Sequence, residues 1–359
     1  DGNGGLGVPE FERGAVRVVA LGSELTSMQN VTTRGLVVTA ETLAKRRDAL
    51  IRFVQAYQKT VDWMYRDPAA LSQYAEMSQA KLPEAKRYGS VLFADWKTGV
   101  AFTAALNQTG AKPASIRLVD NVQFRLGQAL KPAPTDRRKI LTSKVEKLVV
   151  TKVKGFDPHQ MVAATMVLEG SKAEVDYQYK VVFDIAKKFG GISGGPSNGE
   201  RGYMLTYAIA YIRDLLSDYY IVGETYETTV PWSRIHDVCD AVTRVANAEH
   251  KRLGFPGKPF TSPRVTQMYH TGVCIYFTHG LVHKGIENGD EKFAEMEKNM
   301  RAAIMEAGGS ISHHHGIGKL RKGFVDRVAS PESRDAVRAL KRGVDPQNIF
   351  GVRNNVFAD

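Results

Sequence analysis

Residues 308–322 read GGSISHHHGIGKLRK, and the glycines that bracket this run constrain the fold more than any other feature of the chain. One glycine pair ends the helical pattern before the run, and two later glycines allow the backbone to approach a ligand closely. Between them lie His313, His314 and His315, whose imidazoles titrate near physiological pH. The run therefore predicts a turn that presents acid–base groups.

Cations follow the histidines, among them Lys319 and Arg321. Cationic side chains beside a glycine turn suit an anionic substrate, for which the histidines act as general acids or bases. The sequence before the run predicts a helix over 291–307 and a short strand at Ile311. A solvated polar turn after a helix is the alternative that the residues alone leave open.

A metal site is the other interpretation of a histidine cluster. Histidines that share an ion usually lie two residues apart on a strand or four apart on a helix, with a carboxylate or thiolate nearby. No such partner adjoins the run, and neither Cys239 nor Cys274 has a second cysteine close to it in sequence. The spacing therefore predicts no metal site.

Length and composition set broader limits. A chain of 359 residues can bury a large core and is expected to form two domains. Two cysteines favour a reducing compartment or insensitivity to redox state. The sequence shows neither an apolar stretch of roughly 18 residues nor the pattern of a signal peptide. A cytoplasmic or peripheral-membrane location is the expectation.

The first 86 residues differ in character from the rest. A long amphipathic helix is predicted to begin after an N-cap at Thr39 and to stop near Arg66. Residues 34–68 resemble the carboxy-terminal part of periplasmic substrate-binding proteins of the nitrate and taurine transporters. We therefore expect a small α/β fragment over 1–86 and a separate domain over 87–359.

A series of motifs follows in order across 88–354: YGSVLFADWKTGV, PASIRLVDNVQF, KGFDPHQ, NGERGYMLTYAIAYIRDLLSDYYIVGETYETTVPW, RVTQMYHTGVCIYF, the histidine run and VDPQNIFGVRN. Together they resemble the alkylglycerone-phosphate synthases, flavoenzymes of the vanillyl-alcohol oxidase superfamily. The resemblance implies an α+β cap and active-site domain, in which helices cover an antiparallel sheet and 306–359 forms a return segment.

The resemblance also implies a reaction. The acyl group of an acyl-dihydroxyacetone phosphate is exchanged for a long-chain fatty alcohol, without net redox change, through an adduct between the substrate and FAD. The expected partners are these two substrates and, as an open alternative, a second copy of the chain. The net charge of +11 is spread along the sequence without a nucleic-acid-binding motif, so nucleic acid is not expected.

An anionic membrane surface suits this charge better, because the family's substrates reside in bilayers. The segment 131–155 is the predicted contact. Pro132 and Pro134 open a loop there, and cations flank Ile140 and Leu141. A solvated linker is the alternative.

By the resemblance, the histidine run supplies the acid–base group, with His314 as its central candidate, and Tyr276 transfers and positions a proton. Tyr276 lies in a predicted period-2 strand, on the same face as Cys274. From the strand pattern alone, an ordinary core tyrosine with its hydroxyl satisfied is the alternative.

The resemblance assigns the leaving carboxylate or the phosphate to Arg213, and contacts with the flavin to Arg117, Asn348 and Asn354. Arg213 lies in an apolar run, 204–216, which predicts a helix buried on most faces. An internal ion pair is the alternative for Arg213. An exposed strand arginine is the alternative for Arg117.

Two other functions remain open from the sequence. An FAD-linked 2-hydroxy-acid oxidase or dehydrogenase shares the architecture. A catalytically silent fusion or truncated fragment, carrying a solute-binding remnant, is the non-enzymatic alternative. The family binds the FAD pyrophosphate through a glycine-rich loop, and no such loop is recognised before Tyr88, so weak FAD binding is expected.

Overall fold

The computed structural model describes residues 40–67, 69–77, 83–111, 113–131 and 149–357. Two compact units divide between Pro83 and Glu84. In the first unit, helices α1 (Ala40–Arg66) and α2 (Ala70–Met77) are described. The helix predicted to end near Arg66 is therefore confirmed, with a kink at Arg46. The proposed N-cap at Thr39 lies outside the described residues, and the likeness to transport proteins stays a prediction.

The second unit is built on one antiparallel sheet. Within the described residues its strands are β1 (Ala85–Phe93), β2 (Ser115–Val119), β3 (Val162–Gly170), β4 (Ile192–Ser193), β5 (Ile221–Pro231), β6 (Phe260–Met268) and β7 (Gly272–Val282). Their order is β4-β1-β3-β2-β6-β7-β5, and every ladder is antiparallel. The predicted α+β class is confirmed. Strand β1 takes in the last residues of the segment 1–86 that was expected to stand apart.

Helices separate most of these strands along the chain, and two more follow β7. They are α3 (Trp96–Asn107), α4 (Asn121–Ala129), α5 (Lys172–Lys188), α6 (Pro196–Ser217), α7 (Ile235–Arg252), α8 (Gly289–Glu306) and α9 (Pro331–Val344). Side chains satisfy the free N–H groups at several starts. Asp95 accepts a hydrogen bond from Thr98 N at 2.7 Å, and Ser171 forms a capping box with Glu174.

One face of the sheet forms the hydrophobic core. Every second residue of each strand points to this face, as the period of a pleated strand requires. Val91, Leu118 and Ile275 are fully buried there. They join a cluster that includes side chains of α3, α5, α7 and α8. The residues between them in sequence therefore face the other side of the sheet, which carries the polar groups described below.

Helix α6 packs across this second face, with its backbone in close contact with the strands. A Cβ atom added at Gly199 would lie 2.3 Å from Gly89 O, and one at Gly202 would lie 2.7 Å from Thr165 Cγ2. Glycine at these positions is therefore required by the close approach of the helix. The prediction that this helix is buried on most faces is wrong for its described part, since Met204 is 55% exposed.

The short strand predicted at Ile311 is also absent. Ser310 N donates to Thr229 O at 2.9 Å, but Thr229 N returns its hydrogen bond to the Ser310 hydroxyl at 2.8 Å. Because a side chain replaces the backbone acceptor, the segment passes the edge of β5 without extending a ladder.

None of the described helices is long and apolar enough to cross a membrane. Most of the predicted membrane-contact segment, residues 132–148, lies outside the described residues.

Candidate active site

Three polar residues form a row across neighbouring strands. Glu227 of β5 pairs directly with Tyr276 of β7, and Tyr276 pairs with Arg264 of β6. Directly opposed residues of antiparallel strands point to the same face. The row therefore lies on the face opposite the core, where a charged side chain in the middle of a strand does not have to pack into the apolar interior.

The carboxylate of Glu227 organises the histidine run. This side chain is fully buried. It accepts hydrogen bonds from His315 N at 2.7 Å, from His314 N at 3.2 Å, from the Ser312 hydroxyl at 2.8 Å and from His313 N. Successive backbone N–H groups that converge on one anion form a nest. The turn is thus shaped by a residue more than eighty positions earlier in the chain.

Burial alone raises the pKa of Glu227, but the hydrogen bonds from His315 N, the Ser312 hydroxyl and His313 N lower it below its ordinary value. The carboxylate is therefore ionised at neutral pH. Arg301 of α8 supports the same turn, because its Nη1 donates to Ile311 O at 3.1 Å.

Tyr276 and His315 are in direct contact. The Tyr276 hydroxyl lies 3.0 Å from His315 Nε2 and 3.1 Å from Thr225 Oγ1. The His315 side chain is 27% exposed, and burial lowers its pKa, partly opposed by the charge of Glu227. A neutral imidazole hydrogen-bonded to a phenol can pass a proton in either direction. The hydroxyl of Tyr276 is satisfied, yet its partner is a titratable group at the surface.

The other two histidines have different partners. His314, the residue favoured from the sequence, is exposed, and its Nδ1 lies 2.8 Å from His313 Nδ1. His313 Nε2 lies 2.6 Å from the Tyr269 hydroxyl. Ligand atoms of Cys274, His313 and His314 all lie within 4.8 Å of one another. No thiolate or carboxylate adjoins the histidines in sequence, whereas the fold brings Cys274 of β7 and Glu227 of β5 to them.

Arg264 was not singled out from the sequence. Its guanidinium Cζ lies 4.5 Å from the centroid of the Tyr276 ring. Its Nε is buried and has no hydrogen-bond partner in the described part of the chain. Burial lowers the pKa of Arg264, and the charge of Arg117 lowers it further. Buried Pro263 and Val265 flank this arginine, a pattern that could have drawn attention to it.

A cavity of about 530 Å³ adjoins the row on the same face. Its walls come from β1, β2, β3, α4 and α6, and Arg264 lines it as well. Most of its wall surface is apolar, with side chains such as Leu92 and Leu205, whereas Arg117 and Arg201 are among the cations that line it. Arg117 thus lies in the cavity wall, in the predicted strand Ser115–Val119. Arg264 connects this cavity to Tyr276 and His315, which we call the tyrosine–histidine pair.

The remaining predicted site residues lie elsewhere. Arg321 is buried, and its Nη1 donates to Gly316 O, so that it closes the glycine turn. Lys319 is exposed beside it. Arg213 lies in α6, and its side chain is outside the description.

Asn348 and Asn354 follow α9 in a series of turns, and Asn348 has a left-handed backbone with φ of 52°. Neither asparagine is part of the cavity wall. The neighbouring Asn355 N donates to Gly318 O at 2.9 Å, which brings the end of the chain back to the histidine turn.

Comparison with known proteins identifies the family of the chain. The family model described as FAD linked oxidases, C-terminal domain, matches residues 82–353. The chain belongs to this family. Flavin is the cofactor that the family description names.

Two relatives make the comparison more specific than the family match. Alkyldihydroxyacetonephosphate synthase of Caenorhabditis elegans is 40% identical over 273 residues, which cover 76% of this chain and 46% of the relative. The synthase of Dictyostelium discoideum is 28% identical over 280 residues, covering 78% and 45%. The resemblance stated from the motifs is confirmed. This FAD-linked oxidase chain spans less than half the length of these relatives.

Solved structures show the same fold. A structure of alkyldihydroxyacetonephosphate synthase superposes with a TM-score of 0.56 at 24% identity, covering 75% of this chain and 44% of that one. p-Cresol methylhydroxylase superposes with a TM-score of 0.51 at 15% identity, covering 78% and 54%. At these identities the superpositions establish the architecture of the sheet and its helices.

Proposed function

We propose that this chain is the substrate-binding and proton-transfer part of an alkylglycerone-phosphate synthase. The reaction exchanges the acyl group of an acyl-dihydroxyacetone phosphate for a long-chain fatty alcohol. The observation that carries the proposal is the contact between Tyr276 and His315, held beside an arginine that also lines an apolar cavity. The identity to two synthases supports the same reaction.

The cavity suits a lipid with an anionic end. Its volume of about 530 Å³ is typical of pockets for small organic ligands. Apolar walls accept an alkyl chain, and the guanidinium groups of Arg117, Arg201 and Arg264 offer donors to a carboxylate or phosphate.

Proton transfer is assigned to the tyrosine–histidine pair. When the acyl group leaves, its carboxylate takes the electron pair of the broken carbon–oxygen bond. When the alcohol oxygen bonds to that carbon, the alcohol loses its proton. His315 Nε2 accepts this proton through the Tyr276 hydroxyl, 3.0 Å away, and the exchange is balanced without net redox change. Glu227 holds the turn in place and offsets the charge of the imidazolium.

The residues on this face fit a flavin. The isoalloxazine ring carries carbonyl oxygens, and the unpartnered Nε of Arg264 is a matching buried donor. Arg117, in the same cavity wall, is the second candidate for holding the ring. When bound, FAD supplies an electron sink for the carbon that exchanges its substituent.

A reconstituted enzyme tests the proposal. We would join the chain to the part of the nematode synthase that the match does not cover, and measure incorporation of a radiolabelled long-chain alcohol. Exchange with release of fatty acid is expected. Bleaching of the flavin by a 2-hydroxy acid, without alcohol incorporation, would instead establish an oxidase. A chimera that binds FAD but does neither would refute both activities.

We also infer a peripheral contact with anionic membranes. Besides the net charge of +11, helix α9 supports this contact. Its Leu340 and Val344 are 67% and 74% exposed, next to the basic Arg342. Co-sedimentation with phosphatidylserine vesicles, but not with phosphatidylcholine vesicles, is expected. Leu340→Glu should abolish it, and an unchanged bound fraction would exclude α9.

A homodimer, which the family resemblance left open, is the remaining proposal about partners. Sedimentation velocity at several protein concentrations tests it directly. A single species with the mass of one chain at all concentrations would refute it.

A further inference from the structure

Cys274, His313 and His314 form a cluster that the proposed reaction does not use as a unit. Cys274 belongs to β7, two residues before Tyr276, and the histidines belong to the turn that Glu227 holds. One ligand atom from each residue lies within 4.8 Å of the other two. We propose that these three side chains form a binding site for a thiophilic divalent ion of the zinc type.

The choice of ion follows from the ligands. One thiolate and two imidazoles are donors that zinc accepts readily, whereas magnesium and calcium require oxygen. A tetrahedral ion with nitrogen ligands at about 2.0–2.1 Å and sulfur at about 2.3 Å holds its ligand atoms about 3.3–3.6 Å apart. The ligand atoms of the cluster lie within 4.8 Å of one another, and exposed His314 can rotate to close the difference.

The two imidazoles already share a bond that an ion can replace. His313 Nδ1 and His314 Nδ1 lie 2.8 Å apart, so one of them must carry the proton between them. An ion that binds here displaces this proton, and a second one leaves the Cys274 thiol.

The surroundings support the same site. The Tyr269 hydroxyl, 2.6 Å from His313 Nε2, fixes the orientation of that ring in the manner of the groups that surround zinc ligands. The backbone N–H groups of both histidines are held by Glu227. Burial raises the pKa of the Cys274 thiol to about 11, so its thiolate forms only when the ion displaces the proton.

Three protein ligands leave the fourth position of a tetrahedral ion open. Occupancy also withdraws two imidazoles beside the tyrosine–histidine pair, so the ion should inhibit the exchange reaction. That consequence rests on the proposed function, whereas binding of the ion does not.

Cobalt is the probe, because a thiolate bound to Co²⁺ gives a charge-transfer absorption that imidazole alone does not. We would titrate the 359-residue chain with Co²⁺ and follow this absorption, then displace the cobalt with Zn²⁺. One equivalent per chain is expected. Cys274→Ser should abolish the absorption and weaken zinc binding by about tenfold or more, since even the loss of a group that supports a zinc ligand has an effect of that size.

Cys239→Ser is the matched control, since Cys239 is also a buried free cysteine but lies in α7 on the core side. It should leave the titration unchanged. His314→Gln provides a variant at an exposed position, which the fold tolerates, and it should weaken zinc binding as well. Absence of the thiolate absorption in the parent chain, or its persistence in Cys274→Ser, would overturn the proposal. Equal zinc affinity of His314→Gln and the parent would do the same.

Discussion

His315 N donates to the buried carboxylate of Glu227 at 2.7 Å, and this bond joins a turn near the carboxy terminus to the edge strand of the sheet. Two further backbone N–H groups and a hydroxyl converge on the same carboxylate. The imidazoles of the run are therefore not needed to anchor the turn, because backbone N–H groups and the Ser312 hydroxyl hold it to Glu227. Replacing the carboxylate by an amide tests this division of roles.

Glu227→Gln should destabilise the chain by about 1–3 kcal/mol, because the amide nitrogen cannot accept the N–H groups and leaves buried donors unpaired. The free energy of unfolding, measured by urea titration, reports this loss. Glu169→Gln is the control, since Glu169 is a partly exposed partner of Lys86 at 3.0 Å, where a surface ion pair contributes less than about 1 kcal/mol. Equal effects of the two substitutions would contradict the anchoring role of Glu227.

The second prediction separates the histidines. In the reconstituted enzyme, His315→Gln should lower the rate of alcohol exchange by about a hundredfold or more, the scale of a positioned acid–base group. Tyr276→Phe should act in the same direction, because the proposed proton transfer to His315 passes through the Tyr276 hydroxyl.

His314→Gln is the matched comparison on the same turn, and it should have the smaller effect, since His314 makes no hydrogen bond to Tyr276 in the described structure. The family resemblance placed His314 at the centre instead. A larger loss in His314→Gln than in His315→Gln would favour that assignment and contradict ours.

Local sequence patterns predict some parts of this site but not others. The strand that carries Tyr276 and the helix that ends before the histidine turn follow from local periodicity, and both are confirmed. Glu227 could not be found in the same way. Its role depends on a contact across 88 positions with His315, which local patterns do not encode.

The site residues missed from the sequence share this origin. Arg264 acquires its place from the register of β6 against β7, and Cys274 approaches the histidines only because β7 lies next to the edge strand. The turn at Ile311 differed from its prediction for a related reason, because the Ser310 hydroxyl takes the place of a backbone acceptor. Register and side-chain substitution in ladders are set by the assembled sheet.

The third prediction concerns the close approach of α6. Gly199→Ala should destabilise the second unit by about 1–3 kcal/mol, the usual cost of forcing an extra methyl group into a packed contact. The added carbon would lie 2.3 Å from Gly89 O, which is a backbone atom and cannot rotate away. Gly323→Ala is the control, because nothing lies within 4 Å of its added carbon. Thermal unfolding of both variants should show a large shift only for Gly199→Ala.

The last prediction is a loss of stability in acid that originates from His279. This buried side chain lies 2.9 Å from Thr261 Oγ1 through its Nδ1, and its ring stacks on Phe293. Its Nε2 has no hydrogen-bond partner within the part of the chain that the structure describes. Burial, together with nearby His250, lowers the pKa of His279 from 6.5 to about 4.

The sign follows from proton binding. Between pH 6.5 and about 4, the unfolded chain binds a proton at His279 and the folded chain does not. The stability is therefore complete above pH 6.5 and is lost as the pH falls toward 4, by about 3 kcal/mol at most. His279→Leu should lose this slope, although its stability at neutral pH falls because the Thr261 hydroxyl becomes unpaired. His270→Gln, at an exposed position, should retain the slope of the parent. Urea unfolding at a series of pH values provides the measurement, and a slope that persists in His279→Leu would assign the acid sensitivity to another group, such as His250.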